Sequence, residues 1–111
     1  MSRPRSEKAE VARVSRRFAK NLRSLRRRSG LSQTATAERA GLHRTEISLL
    51  ERGLRVPQLD TIVQVAAGIE AEPCDLLAGM AWRLDRRRPH DPKGPPGCFE
   101  VKVGSRWERA Q

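Results

Sequence analysis

The chain has 111 residues, 37% hydrophobic, 32% charged and only 4% aromatic, which allows one domain of ordinary size with a core of Leu, Ile, Val and Ala and argues against a two-domain enzyme or a β-sandwich. Lys and Arg outnumber Asp and Glu by 23 to 13, a net charge of +10 that attracts polyanions, nucleic acid before an anionic membrane surface. No run approaches the roughly 20 apolar residues that span a bilayer, and residues 1–10 lack the apolar stretch of a signal peptide, so a cytoplasmic location without membrane contact is expected.

Charge is distributed unevenly along the chain. Residues 1–30 carry 11 basic and 2 acidic groups, residues 31–79 carry 4 and 7, and residues 80–111 carry 8 and 4. In the first of these segments Val11, Val14, Phe18, Leu22 and Leu25 recur at spacings of three and four, the stripe of an amphipathic helix that ends near Gly30. Ser6, with Glu7 and Glu10 behind it, suits the start of a long version of this helix, and a start nearer Val14 suits a short one. Ser32 then caps a helix through Ala40, Gly41 breaks it, and Ile47 and Leu50 mark a third helix up to Gly53. Pro57 opens a fourth segment with Leu59, Ile62, Val65 and Ala66 on one face, and Pro73 opens a fifth containing Leu76 and Leu77.

Beyond residue 80 the composition changes. Residues 86–97 hold four prolines and two glycines among their twelve positions, the signature of an extended linker. Phe99, Val101 and Val103 alternate with Glu100 and Lys102, a short strand followed by a Gly104-Ser105 turn and Trp107. A lone strand is unstable and needs a partner.

The second and third helices meet the steric needs of a helix-turn-helix. Ala37 is small at the helix crossing, Gly41 can take the left-handed conformation of the turn, and Ile47 and Leu50 bury one face of the second helix of the motif. An ordinary helical hairpin meets the same needs. The wider pattern is more specific: Leu22-Arg23-Ser24-Leu25-Arg26, Gly30-Leu31-Ser32-Gln33, Ala40-Gly41-Leu42, Ile47-Ser48, Leu50-Glu51-Arg52-Gly53, Pro57-Gln58-Leu59-Asp60-Thr61-Ile62 and Pro73-Cys74-Asp75-Leu76-Leu77. With these, residues 18–79 resemble the phage-repressor/Cro-type helix-turn-helix family of bacterial DNA-binding transcriptional regulators.

The resemblance implies roles. The amino-terminal part of the recognition helix enters the major groove, so Arg44, Thr45, Ser48 and Leu49 are expected at base edges. Arg44 can donate two bonds to guanine O6 and N7, or bond a phosphate instead. Gln33 matches a phosphate clamp, and Arg52 and Arg55 flank the loop that approaches the sugar-phosphate backbone. Arg26 and Glu51 match a pair that ties the first helix to the recognition helix. The sequence also departs from the family. His43 stands where Ser or Thr usually caps the recognition helix, leaving it to cap, touch phosphate or sit exposed; Thr36 replaces a core leucine; Leu49 replaces a polar base reader. The first helix carries Arg13, Arg16, Arg17, Lys20, Arg23, Arg27 and Arg28, too many for one duplex, so two or three, Arg23 among them, are expected at phosphates. Arg3 and Arg5 form a basic arm.

No catalytic motif or metal-ligand spacing appears. Cys74 and Cys98 lie far apart without a C-x-x-C pair and read as free thiols. The expectation is a non-enzyme without cofactor: an all-α, five-helix phage-repressor-like domain over residues 13–79, preceded by a basic extension (1–12) and followed by a linker (80–97) and a strand with tail (98–111). Its expected function is sequence-specific regulation on duplex DNA, as a dimeric repressor on a palindromic operator. The dimer contact is expected either from Leu76, Leu77, Met80 and Trp82 or from the strand. The alternative is an antitoxin-type module that neutralises a protein partner through residues 80–111. RNA binding is disfavoured, since Trp82, Phe99 and Trp107 are scattered.

Overall fold

The computed structural model describes residues 5–84 and 97–110, with side chains from residue 8 onward. They fall into two compact units, one helical, Ser15–Ala78, and one formed by residues up to Val14 with those from Gly79 on. Helix α1 (Arg5–Arg28) contributes to both; α2 (Gln33–Ala40), α3 (Arg44–Glu51), α4 (Leu59–Gly68) and the single turn α5 (Pro73–Leu76) complete the helical unit.

Local chemistry sets each boundary. The Ser32 side chain accepts a hydrogen bond from the backbone N–H of Ala35 at 3.0 Å, satisfying an otherwise orphaned donor at the start of α2. Gly41 ends α2 at φ +72°, and the Leu42 N–H returns to the Ala37 carbonyl at 2.9 Å. Asn21 donates from Nδ2 to the carbonyls of Leu76 and Ala78 at 2.9 and 2.8 Å, occupying acceptors that the short α5 cannot satisfy itself.

Phe18, Leu22, Ile47, Leu50, Val65, Ile69 and Leu76 are fully buried and form the core, each burial worth about 1.5–3 kcal/mol before entropy is counted. Helices α2 and α4 approach so closely that a Cβ at Gly68 would lie 3.2 Å from the Ala40 nitrogen and 3.3 Å from its Cβ. Small residues at these two positions permit the approach; Ala37 of the same helix is buried. Thr36, in place of a leucine, is wholly buried and its hydroxyl has no hydrogen-bond partner.

The second unit corrects the all-α expectation. The expected strand, β2 (Gly97–Val103), lies between β1 (Met80–Leu84) and β3 (Arg106–Arg109) in an antiparallel sheet of order β1-β2-β3. Backbone pairing explains the difference, since one isolated strand leaves both its edges without hydrogen bonds and two flanking strands satisfy them. Strand β1 occupies the start of the segment expected as a linker. It pairs Met80 with Val101, Trp82 with Phe99 and Leu84 with Gly97, and the Trp82 and Phe99 rings meet edge to face with centroids 4.9 Å apart. Gly104, at φ +63°, begins the turn into β3, where Trp107 pairs with Lys102.

The long version of the first helix is the one present, so residues 5–12, expected as an extension, are helical. Within this unit Arg13 donates to a Glu108 carboxylate oxygen and to the Arg109 carbonyl, both at 3.1 Å. The Glu108 pKa is lowered by hydrogen bonds from Arg106 and then from Arg13. The basic-arm residue Arg3 and residues 85–96 of the linker expected over 80–97, His90 included, lie outside the described residues, and the Arg5 side chain is likewise outside the description.

Candidate nucleic-acid interface

Helix α3 is amphipathic over two turns. Ile47, Leu50 and Glu51 are buried, while Arg44 and Thr45 are exposed in the first turn and Ser48 and Leu49 are half-buried. The burial of Ile47 and Leu50 fixes which face is left outward. The four residues expected to read bases therefore lie together on α3, two of them exposed and two partly covered. His43 precedes the helix as its N-cap residue in extended conformation, exposed and making no side-chain cap bond. Of the three roles open to it, capping is not the one adopted.

The back of α3 is held by a polar network around Glu51, which is 3% exposed. Arg26 donates to both carboxylate oxygens, from Nη2 to Oε1 at 2.9 Å and from Nε to Oε2, and from Nη1 to the Leu31 carbonyl at 2.8 Å. The hydrogen bond to Glu51 raises the Arg26 pKa above its ordinary value. The expected pairing of Arg26 with Glu51 is thus formed, and with two parallel donors. Gln33 joins it, Nε2 donating to Glu51 Oε1 at 3.3 Å, and Arg23 donates from Nη1 to the Glu51 carbonyl. Sequence reasoning placed Gln33 and Arg23 at phosphates and missed these internal bonds, because neither partner is near in sequence.

Arg52 and Arg55, beyond the end of α3, are exposed. Gly53 between them has φ +70°, and a Cβ there would fall 2.9 Å from Arg16 Cγ and 3.2 Å from Arg16 Cα. Only glycine satisfies both the conformation and the approach. Arg55 shares a cleft of about 350 Å³ with Glu46 of α3 and Thr61 of α4. The seven first-helix cations named above are not equivalent. Arg13 is bound to Glu108, Arg17 donates to the Ala78 carbonyl at 3.3 Å, and Arg23 is bound as above.

The apolar surface also differs from expectation. Leu76 is 0% exposed, so it belongs to the core and cannot supply a dimer contact. Leu77 and Trp82 of the expected contact do stay exposed, and four further aliphatics of the helical unit, Leu54, Val56, Leu59 and Val63, each more than half exposed, cluster in sequence after α3. Both cysteines are free thiols. Among the described residues there is no cluster of three His, Cys, Asp or Glu suited to a metal ion, and no helix is long and apolar enough to cross a membrane.

Comparison with known proteins converges on the same segment. A helix-turn-helix domain family matches residues 17–78. Control protein C.BamHI of Bacillus amyloliquefaciens is 39% identical over 61 residues, which are 54% of this chain and 75% of that protein. Control protein C.SmaI of Serratia marcescens is 41% identical over 69 residues, 62% of this chain and 82% of that protein. The crystal structure of the restriction-modification controller protein C.AhdI from Aeromonas hydrophila superposes with a TM-score of 0.55 at 37% identity, covering 56% of this chain and 94% of that one.

Proposed function

We propose that this chain, which belongs to the helix-turn-helix domain family of Cro/repressor-like DNA-binding transcription regulators, represses transcription as a dimer on a palindromic duplex site. The observation that carries the reading is α3 itself, an eight-residue helix held from behind by Ile47, Leu50 and the Arg26–Glu51 pair, with Arg44 and Thr45 open on its first turn. Arg44 reads guanine through its two-pronged guanidinium, Thr45 bonds a base or packs on a thymine methyl, and Ser48 and Leu49 supply shorter-range contacts.

Arg52 and Arg55 bind phosphates, and His43 adds a further contact from the foot of α3. Gln33 and Arg23 serve the interface in two ways, fixing α3 through Glu51 and turning their remaining N–H donors to the phosphate backbone. The two-fold contact is made by Leu54, Val56, Leu59 and Val63 with the same residues of a second copy. Four exposed aliphatics lie within ten residues, and their position directly after α3 lets one two-fold axis set the spacing of two recognition helices. Likeness to proteins named as control proteins supports gene regulation over the antitoxin reading.

Selection of bound sequences from a random duplex pool tests the proposal. An inverted repeat with half-sites about one helical turn apart is the expected result, with a log–log salt slope of about -4 to -7. Arg44→Ala is expected to cost about 1–3 kcal/mol on the selected site and to relax one base position. Equal weakening on every sequence would reassign Arg44 to phosphate, and a pool without enrichment would refute sequence-specific regulation.

A further inference from the structure

The three-stranded sheet lies outside the segment matched by the helix-turn-helix family, and its two outer edges are built differently. Strand β2 is central with a neighbour on each side, so it is not the strand that meets a second copy. The outer edge of β3 is guarded. Arg106, Glu108 and Arg109 leave it one uncharged residue, and the Arg109 carbonyl already accepts a hydrogen bond from Arg13 at 3.1 Å. Charge and covered backbone groups keep an edge from recruiting another strand. The edge of β1 lacks such protection. Its sequence is Met-Ala-Trp-Arg-Leu, and its one charge, Arg83, is drawn to Glu100 of the neighbouring strand. Trp82 and Leu84 remain 42% and 56% exposed. A cleft of about 450 Å³ is lined by the consecutive residues Ala81, Trp82, Arg83 and Leu84. Successive strand residues face opposite sides of a sheet, so a cleft that touches all of them runs along the edge.

The backbone fixes which groups that edge presents. The Lys102 N–H donates to the Gly79 carbonyl at 2.8 Å, so Gly79, Ala81 and Arg83 turn their hydrogen-bonding groups toward β2, and Met80, Trp82 and Leu84 turn theirs away from it. We infer that β1 pairs antiparallel with β1 of a second copy, on a two-fold axis at Trp82, joining the two sheets into one. Self-complementarity selects both the occupant and the register. With the axis at Trp82, the two Trp82 residues face each other and Met80 of each copy faces Leu84 of the other. Every outward-turned residue then meets an outward-turned residue in a hydrogen-bonded pair that exchanges both N–H···O bonds. The apolar side chains of Met80, Trp82 and Leu84 share one face and pack across the junction, while Arg83 stands opposite Ala81. An axis at Arg83 would set two guanidinium groups directly opposite, which is destabilising, and an axis at Ala81 would leave Leu84 without a partner in β1. The contact is separate from the one assigned to Leu54, Val56, Leu59 and Val63, and it stands on the sheet without need of the DNA-binding reading. A chain with two distinct two-fold contacts assembles beyond the dimer.

Sedimentation velocity of the full-length protein without DNA, over a concentration series, reads the assembly. Leu84→Pro removes an outward N–H that β2 does not use, a change that edge strands tolerate. Leu84→Lys keeps that N–H and sets a charge on the apolar junction. The parent is expected to exceed a dimer, and each variant to stop at half the parent's mass or less with unchanged helical circular dichroism. Leu59→Lys with Val63→Lys removes the helical contact instead, and should leave a dimer that Leu84→Lys then splits into monomers. A second readout does not depend on the Leu84 variants. The chain has two tryptophans, so in a Trp107→Phe protein Trp82 is the sole one, and its acrylamide quenching should fall as the protein associates. A parent mass that survives both Leu84 variants overturns the inference, as does a monomeric parent or association that leaves Trp82 equally quenchable. A parent dimer that Leu84→Lys splits and the α4 variant does not upholds the strand contact and overturns the helical one; the reverse pattern overturns the strand contact alone.

Discussion

Replacing Glu51 with Ala is expected to destabilise the helical unit by about 3 kcal/mol. The carboxylate is 2% exposed, its partner Arg26 has a side chain 12% exposed, and two parallel bonds join them. Removing one member of a buried pair costs about 3–5 kcal/mol, because the surviving charge stays desolvated and unpaired. The lower end applies here, since Arg26 keeps its bond to the Leu31 carbonyl and some access to water. A small domain has only about 5–15 kcal/mol in total, and 3 kcal/mol corresponds to a fall in Tm of about 12–24 °C. Urea unfolding followed by helical circular dichroism measures the loss, with an unchanged m-value as the check that the transition stays two-state. The double variant Arg26→Met, Glu51→Leu supplies the contrast, since an apolar pair of similar volume removes the stranded charge and should recover most of the stability. A cost below about 1 kcal/mol for Glu51→Ala, or a double variant no more stable than the single one, would refute the account of a buried and mutually dependent pair.

Further outcomes follow from particular atoms. Thr36→Val keeps the shape of a buried side chain whose hydroxyl has no partner, and should raise the urea-derived stability by about 1 kcal/mol; a loss would mean that the hydroxyl is satisfied. Gly41→Ala meets nothing closer than 3.7 Å and pays only for its left-handed backbone, about 1–2 kcal/mol, whereas Gly53→Ala adds a clash with Arg16 and should cost more; equal losses in thermal unfolding would contradict the close approach. The lowered pKa of Glu108 means that its contribution is complete above the ordinary carboxylate value of about 4.3 and is lost as pH falls from there through the lowered folded value. Acid titration of sheet stability should therefore be steeper in the parent than in Glu108→Gln, and parallel curves would remove Glu108 from the account.

What the sequence determined by itself was the part of the molecule governed by local rules. The three-and-four spacing from Val11 to Leu25, the Ser32 cap, the Gly41 turn and the prolines at 57 and 73 each act within a few residues, so five helices were legible in order. The linked motifs from Leu22 to Leu77 added the family and the pairing of Arg26 with Glu51. Tertiary structure decided what depends on residues distant in sequence. Met80–Leu84 is a strand because it pairs with Gly97–Val103 across an intervening segment rich in Pro and Arg, and no signal within five residues encodes that pairing. Likewise Gln33 and Arg23 turn toward Glu51, and Leu76 is core while Leu54 and Val56 are surface. Apolar character alone gives a side chain a reason to be buried, but only the packed helices determine which of these side chains find room inside.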